Sequence, residues 1–228
     1  MANLVQMRML EGLDGLLLVD KPVGIAFPTV VKSVKRKFNL VKVGHGGSLD
    51  AMASGLLVLM LNGANRFVAD IMGADRSYSG TMRLGDTTDT GDRYGRPIPL
   101  PERLMPPEEA KGDVFQTEPR FCSVRREGSA EYEITDTGEH TQFLAHIYRF
   151  ALGEKDEGTG LVPFTLSASK GVIVRALAQD IGATLMSLRR TRVGRLSVED
   201  AVPFDRLLET DASDFAGLVV PAARALAQ

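Results

Sequence analysis

The apolar residues of this chain fall into short runs whose spacing separates strands from helices. Gly15-Leu16-Leu17-Leu18-Val19 is a continuous apolar run, as expected of a buried strand, and Asp20-Lys21-Pro22-Val23-Gly24 after it marks a turn. From Thr29 to Phe38, Val30, Val31, Val34 and Phe38 recur at helical spacing. Lys32, Lys35, Arg36 and Lys37 fall largely opposite them, which predicts an amphipathic helix with a basic face. Val43 leads into a glycine-rich loop, Gly44 to Asp50. Ala51 to Leu61 is strongly apolar, interrupted by Ser54-Gly55, and a helix can begin near Ala51. A short helix is expected over Ala64–Gly73 and a strand over Ser77–Leu84. Gly85 to Gly95 reads as a polar loop, and the proline-rich stretch Arg96 to Gly112 as an irregular linker or insertion. Val114 to Tyr132 gives mixed signals. Strands are expected over Thr141–Leu152 and Phe164–Ser169, and a helix over Val174–Leu185. Leu196 to Asp200 and a short link lead to a terminal helix from about Phe215 to Ala227. The elements interleave irregularly and without a fixed repeat, so the class is mixed α/β or α+β.

Composition narrows the setting. The 228 residues suffice for a sizeable core, and 44% hydrophobic with 25% charged residues fits a soluble globular protein. No apolar run reaches the length of a membrane-spanning helix, and Met1 to Glu11 lacks a signal-peptide pattern. With Cys122 as the one cysteine, an internal disulfide is excluded and a cytoplasmic location is expected. The net charge of −2 does not by itself point to nucleic acid. The basic residues are clustered, however, at Lys32, Lys35, Arg36, Lys37 and Lys42 and at Arg189, Arg190, Arg192 and Arg195. Each cluster is either a solvated face or a local phosphate-binding surface.

Candidate chemistry centres on Gly44-His45-Gly46-Gly47-Ser48-Leu49-Asp50. The glycines let a backbone come close to a ligand. Asp50 is the only carboxylate between Lys42 and Ala69, and apolar residues flank it. A carboxylate there is costly to bury unless it is paired or functional. The competing reading is an N-cap for a helix starting near Ala51. His45 is a candidate base or ligand, or simply a satisfied polar residue. His45, His140 and His146 with Cys122 give no metal-ligand spacing, so no metal is expected. The Asp86, Asp89, Asp92 series does not match a calcium loop and reads as turn chemistry. There is no phosphate-loop, dinucleotide or nucleophile-elbow signature.

The loop, continued by Ala53-Ser54-Gly55-Leu56-Leu57, resembles the Gly-His-x-Gly-x-Leu-Asp-Pro-x-Ala-x-Gly motif of the tRNA pseudouridine synthase B (TruB) family. Further matches follow in family order. Leu17 to Gly24 is similar to the N-terminal strand and Lys-Pro-x-Gly turn. Arg76-Ser77-Tyr78 and Leu84 to Asp92 are similar to the Lys-x-Tyr strand and its loop. Gln116 to Arg125 is a degenerate copy of the Gln-x-Pro-Pro-x-Phe-Ser-Ala-x-Lys segment. Ser169 to Gly182 resembles the Gly-Thr-Tyr-Ile-Arg motif with its helix, and Leu188-Arg189-Arg190-Thr191 the Leu-Arg-Arg element.

The resemblance implies an α+β pseudouridine synthase fold, a mixed and largely antiparallel sheet flanked by helices around a central RNA-binding cleft. It places a catalytic domain at 12–205, an N-terminal extension at 1–11 and a C-terminal tail or helix at 206–228. The residues after Asp205 are too few for the small RNA-binding domain that many bacterial members carry, so a short form is expected. The implied activity is isomerisation of uridine to pseudouridine in tRNA, at uridine 55 of the T-loop, without cofactor. Asp50 takes the position of the catalytic carboxylate, Tyr78 that of the residue stacking on the flipped base, and Arg175 that of the arginine paired with the aspartate. His45 takes the position that holds the extruded RNA loop, and Leu188 an apolar position of the uracil pocket. Lys21 and Ile173 fall in substrate-binding motifs. Lys32, Lys35, Arg36, Arg189 and Arg190 are expected to meet RNA phosphates. The expected partner of this monomer is tRNA, with no membrane and no metal. Departures are Ala51 for the family proline, Ile173 for the family tyrosine, and Arg76 for a lysine. They keep two alternatives open: an RNA-binding or tRNA-folding protein with weak or no catalysis, and a synthase acting on another RNA.

Overall fold

The computed structural model describes residues 12–117, 121–126, 129–134 and 142–226, with backbone alone for 121–126 and 129–134. The expected extension at 1–11 lies outside the described residues, as do His140, the start of the strand expected at Thr141 and residues 118–120 of the degenerate motif. The chain forms two compact units, 1–74 with 191–228, and 75–190.

The first unit opens with β1 (Gly15–Lys21), α1 (Phe27–Lys37), β2 (Val43–His45) and β3 (Ala53–Leu61). β3 pairs antiparallel with both β1 and β2, placing Lys21 opposite Gly55 and His45 opposite Leu59. The apolar run Ala51–Leu61 is therefore a two-residue turn followed by a strand over Ala53–Leu61, and not a helix. Its alternate residues serve two cores. Leu57, Leu59 and Leu61 pack with Leu17, Val19, Val30, Val34 and Phe38, whereas Leu56, Val58 and Met60 pack with Leu16, Leu18 and Ile71. Burial on both faces removes the alternation that would have announced a strand.

α1 forms where helical spacing predicts it. Pro28 sits in its first turn, where a missing N–H costs nothing, and Lys35, Arg36 and Lys37 complement the negative end of the dipole in its last turn. Val30 and Val34 are fully buried, each contributing about 1.5–3 kcal/mol relative to exposure. A 3₁₀ turn over Asn62–Phe67 then leads into α2 (Val68–Gly73).

The second unit holds β4 (Arg76–Leu84), the short pair β5 (Thr87–Thr88) and β6 (Pro97–Ile98), and β7 (Gly112–Thr117). β8 (Phe121–Arg126) and β9 (Ser129–Ile134) form a hairpin, followed by β10 (Gln142–Leu152) and β11 (Val162–Ala168). Next come α3 (Val174–Asp180) and β12 (Ala183–Val193), whose last residues re-enter the first unit. Here the strand order is β12-β4-β11-β10-β7. The helix expected over Val174–Leu185 stops early because Gly182 turns the chain with φ +71° and the following residues extend.

Back in the first unit, β13 (Leu196–Ser197) closes a hairpin with β12, and β14 (Val202–Pro203) runs parallel to β1. The chain ends in α4 (Phe204–Glu209), α5 (Ala212–Phe215) and α6 (Ala222–Leu226). The single terminal helix expected from Phe215 is thus broken, with Val219 extended before Pro221. These residues join the first unit's core: Phe215 stacks on Phe38 at 3.7 Å between ring centroids, and Leu16 exchanges backbone hydrogen bonds with Val220.

Candidate active site

In the first unit, β2 leads into the glycine-rich loop and β3 leaves it. The Gly46 N–H donates to the Val58 carbonyl at 2.8 Å, and the Ala53 N–H donates to the Asp50 carbonyl at 3.1 Å. Asp50 is half-buried at the turn into a strand, so the helix N-cap reading does not hold. The Ala51 carbonyl accepts from the Gly24 N–H at 2.7 Å, which ties the Lys-Pro-x-Gly turn to the residue after Asp50. Gly24 holds φ +86°, a conformation glycine adopts without penalty.

Lys21 is fully buried, and its ammonium donates to the Pro22 and Ile25 carbonyls, both at 2.8 Å. It shapes the turn that braces the Asp50 loop, a placement that suits positioning better than direct contact with a substrate. The His45 ring lies 4.8 Å from that of Phe27, the first residue of α1. Lys32, Lys35 and Arg36 are exposed on the outer side of α1.

In the second unit, Tyr78 lies on β4 opposite Leu166 and is 8% exposed. Arg76, on the same side of the strand, is also buried, and burial lowers its pKa, partly offset by Tyr78 and Asp75. Arg175 is the second residue of α3 and 5% exposed, and it donates to the Thr90 carbonyl at 2.8 Å. One helical turn on, Gln179 donates to the Thr88 carbonyl at 2.7 Å. The two side chains share a helix face and fasten the 85–95 loop to it.

That loop is built inward. The Thr88 hydroxyl donates to the Asp92 carbonyl at 2.6 Å, and the Asp92 carboxylate accepts from the Thr90 hydroxyl at 3.0 Å and the Tyr94 N–H at 2.9 Å. Thr88, Thr90 and Asp92 are buried. Gly91 has φ +74°, and a Cβ there would lie 2.6 Å from the Arg175 carbonyl oxygen. What reads in sequence as turn chemistry is a buried polar support for the residue that carries the guanidinium.

Ile173 precedes α3 as its N-cap, and Gln116 of β7 bonds both its N–H and its carbonyl. Neither Gln116 nor Asp92 stood out by spacing. The available signal for each was its place inside a family segment, Gln116 at the head of one and Asp92 at the close of another. Leu188 is buried on β12 and Arg189 half-buried beside it. Arg190, expected at a phosphate, is only 2% exposed, because its strand position faces the interior. Among the described residues there is no cluster of His, Cys, Asp or Glu able to hold a metal, and no helix long and apolar enough to cross a membrane.

The sequence profile of the TruB family pseudouridylate synthase N-terminal domain matches residues 35–174. The chain belongs to the TruB family. Among its TruB relatives, the tRNA pseudouridine synthase B of Burkholderia pseudomallei is 38% identical over 211 residues, covering 86% of this chain and 70% of that protein. That of Gluconacetobacter diazotrophicus is 33% identical over 234 residues, covering 94% and 76%. Of solved structures, a chain of a Cbf5-Nop10-Gar1 complex is similar in fold, with a TM-score of 0.69 and 23% identity over 96% of this chain; the match spans 63% of that chain. The α+β pseudouridine synthase fold, with its mixed and largely antiparallel sheet, is thus the TruB fold of this chain.

Proposed function

We propose that this chain isomerises uridine to pseudouridine in tRNA, at uridine 55 of the T-loop, with Asp50 as the catalytic carboxylate. The observation that carries the reading is Asp50 itself. It ends a glycine-rich loop with the family motif and is half-buried where backbone hydrogen bonds hold the chain on both sides. The reaction breaks the C1′–N1 bond, turns the base and joins C1′ to C5; C5 loses a proton and N1 gains one, so no cofactor is consumed. A carboxylate serves such a reaction as the nucleophile that holds the detached species while the base turns.

The target base has to leave its stack to be reached. Tyr78, Arg175, His45 and Leu188 are assigned by their motif positions to the flipped base, the carboxylate's charge, the RNA loop and the uracil pocket. The exposed cations Lys32, Lys35 and Arg36 on α1 suit phosphate contacts. Ile173 and Ala51, which depart from the family motif, favour a second reading in which the chain binds tRNA and has lost catalysis.

Site-mapped pseudouridine detection on unmodified tRNA transcript, with wild type and Asp50→Asn, separates these readings. Conversion at the T-loop uridine by wild type alone is expected. Conversion at another uridine would replace the substrate, and binding by both proteins without conversion would replace the enzyme by the binder.

A further inference from the structure

Arg175 starts from an unfavourable place. It is in the first turn of α3, where the helix dipole opposes a cation, and no acidic residue accompanies it there. The helix is also poorly started by its own sequence. Its N-cap, Ile173, has no side chain that can accept a backbone N–H. Three residues on stands Ala176, where a Glu or Gln could reach back to the N-cap N–H. The orientation of Arg175 has to come from elsewhere in the fold.

Gln116 supplies it. Along β7 the side chains alternate, with Phe115 73% exposed and Gln116 1% exposed, so the amide is turned into the unit. Its Oε1 accepts from the Ile173 N–H at 2.9 Å and its Nε2 donates to the Ile173 carbonyl at 3.1 Å. One primary amide thus pairs with both backbone groups of one residue, as a neighbouring strand would. A flipped amide would oppose donor to donor and acceptor to acceptor, so the pairing fixes the orientation. The same Ile173 carbonyl accepts the Leu177 N–H at 3.1 Å, the first hydrogen bond of α3. Gln116 therefore holds the residue from which the helix starts, two positions before Arg175.

We infer that Gln116 is a positioning residue for the reaction: it clamps the backbone of Ile173 and thereby aims Arg175. The inference rests on the proposed pseudouridine chemistry for its catalytic consequence. The clamp grips backbone and so operates with isoleucine at 173 as it would with the family tyrosine.

The test replaces Gln116 by Met, which keeps the length and removes both hydrogen bonds. Single-turnover pseudouridine formation at saturating tRNA is expected to slow about 10- to 100-fold per folded molecule, while the tRNA Kd shifts less than about threefold. In an Arg175→Lys background the same replacement is expected to add little, because the two residues act in series. Amide hydrogen exchange at 173–177 is expected to accelerate in Gln116→Met. Should that variant fail to fold, Gln116→Asn, whose amide is one methylene too short to reach both backbone groups of Ile173, carries the same comparison. An unchanged rate per folded molecule, or an equal further loss in the Arg175→Lys background, overturns the inference. If wild type forms no pseudouridine, the functional reading fails and takes the catalytic consequence with it. Hydrogen exchange then decides the clamp alone, and unchanged protection at 173–177 sinks that too.

Discussion

Residues 44–50 of the first unit and 85–95 of the second are both glycine-rich loops that include aspartate, yet they differ in how much buried side-chain hydrogen bonding they carry: Thr88, Thr90 and Asp92 of the second bury their own polar groups within the loop. The first is fastened by backbone: Gly46 donates to Val58, Gly24 to Ala51, and Ala53 to Asp50. Its glycines make room for neighbours, and a Cβ on Gly46 would lie 2.2 Å from Cγ2 of Ile71. The second adds side chains to backbone bonds such as Gly91 N–H to the Thr88 carbonyl and Leu185 N–H to the Gly91 carbonyl: the hydroxyls of Thr88 and Thr90, the Asp92 carboxylate, Gln179 and Arg175 all bond loop atoms. A backbone hydrogen bond is indifferent to the side chain of the residue that makes it, in keeping with Ala51 in place of the family proline, where the Ala51 carbonyl still accepts from Gly24. A loop that buries polar side chains depends on each of them as well.

The largest effect is expected from breaking the second loop. Asp92→Ala leaves the Thr90 hydroxyl and the Tyr94 N–H without their carboxylate acceptor in a fully buried position, at a cost of about 3 kcal/mol of stability. Urea unfolding measures it, and a loss under about 1 kcal/mol would mean that the backbone hydrogen bonds of this loop hold it without the carboxylate. The matching test of the first loop adds volume. Gly46→Ala is expected to cost about 2 kcal/mol by overpacking against Ile71, whose branched side chain is 1% exposed and has little room to yield. Pairing it with Ile71→Ala should cost clearly less than the two single losses added, because one removes the atom the other strikes. Additive losses would show that Gly46 is needed for its backbone freedom instead.

The same contrast explains what could be read in advance. α1 and β10 follow from local spacing because each keeps its periodicity within its own residues, and β1 from a short apolar run closed by a Pro and Gly turn. β3 serves the same two cores as β1, but its apolar run is long enough for a helix and begins next to an aspartate that suits an N-cap, so burial on both faces left strand and helix undistinguished. α3 was expected too long because helical spacing continues through Gly182, whose positive φ ends it. In the candidate site, Asp50 stood out as a lone carboxylate beside apolar residues, but its surroundings in sequence fitted an N-cap equally well. Only the turn into β3 removes that alternative. Gln116 and Arg190 were beyond local reasoning. The partner of one lies 57 residues away, and the burial of the other depends on which side of β12 faces inward.

The contrast sharpens most at a third carboxylate, where a replacement is expected to act with the opposite sign. Asp180 is the last residue of α3 and lines a cavity with Leu104, Met105 and Phe115, near Arg103 and Glu109. Burial raises its pKa from 3.8 to about 6. The folded protein therefore holds this proton more tightly than the unfolded chain does. The resulting stability is full below pH 3.8 and lost as pH rises through about 6. At neutral pH the ionised carboxylate opposes folding, unlike Asp92, whose hydrogen bonds repay its burial. Asp180→Asn is expected to stabilise by about 1 kcal/mol at pH 7.5, after discounting for solvent screening of a part-exposed group. The difference should close toward pH 4. Thermal unfolding of wild type and variant across that range measures it. A variant less stable than wild type at pH 7.5 would show that Asp180, like Asp92, is a partnered carboxylate, and the distinction between the two would collapse.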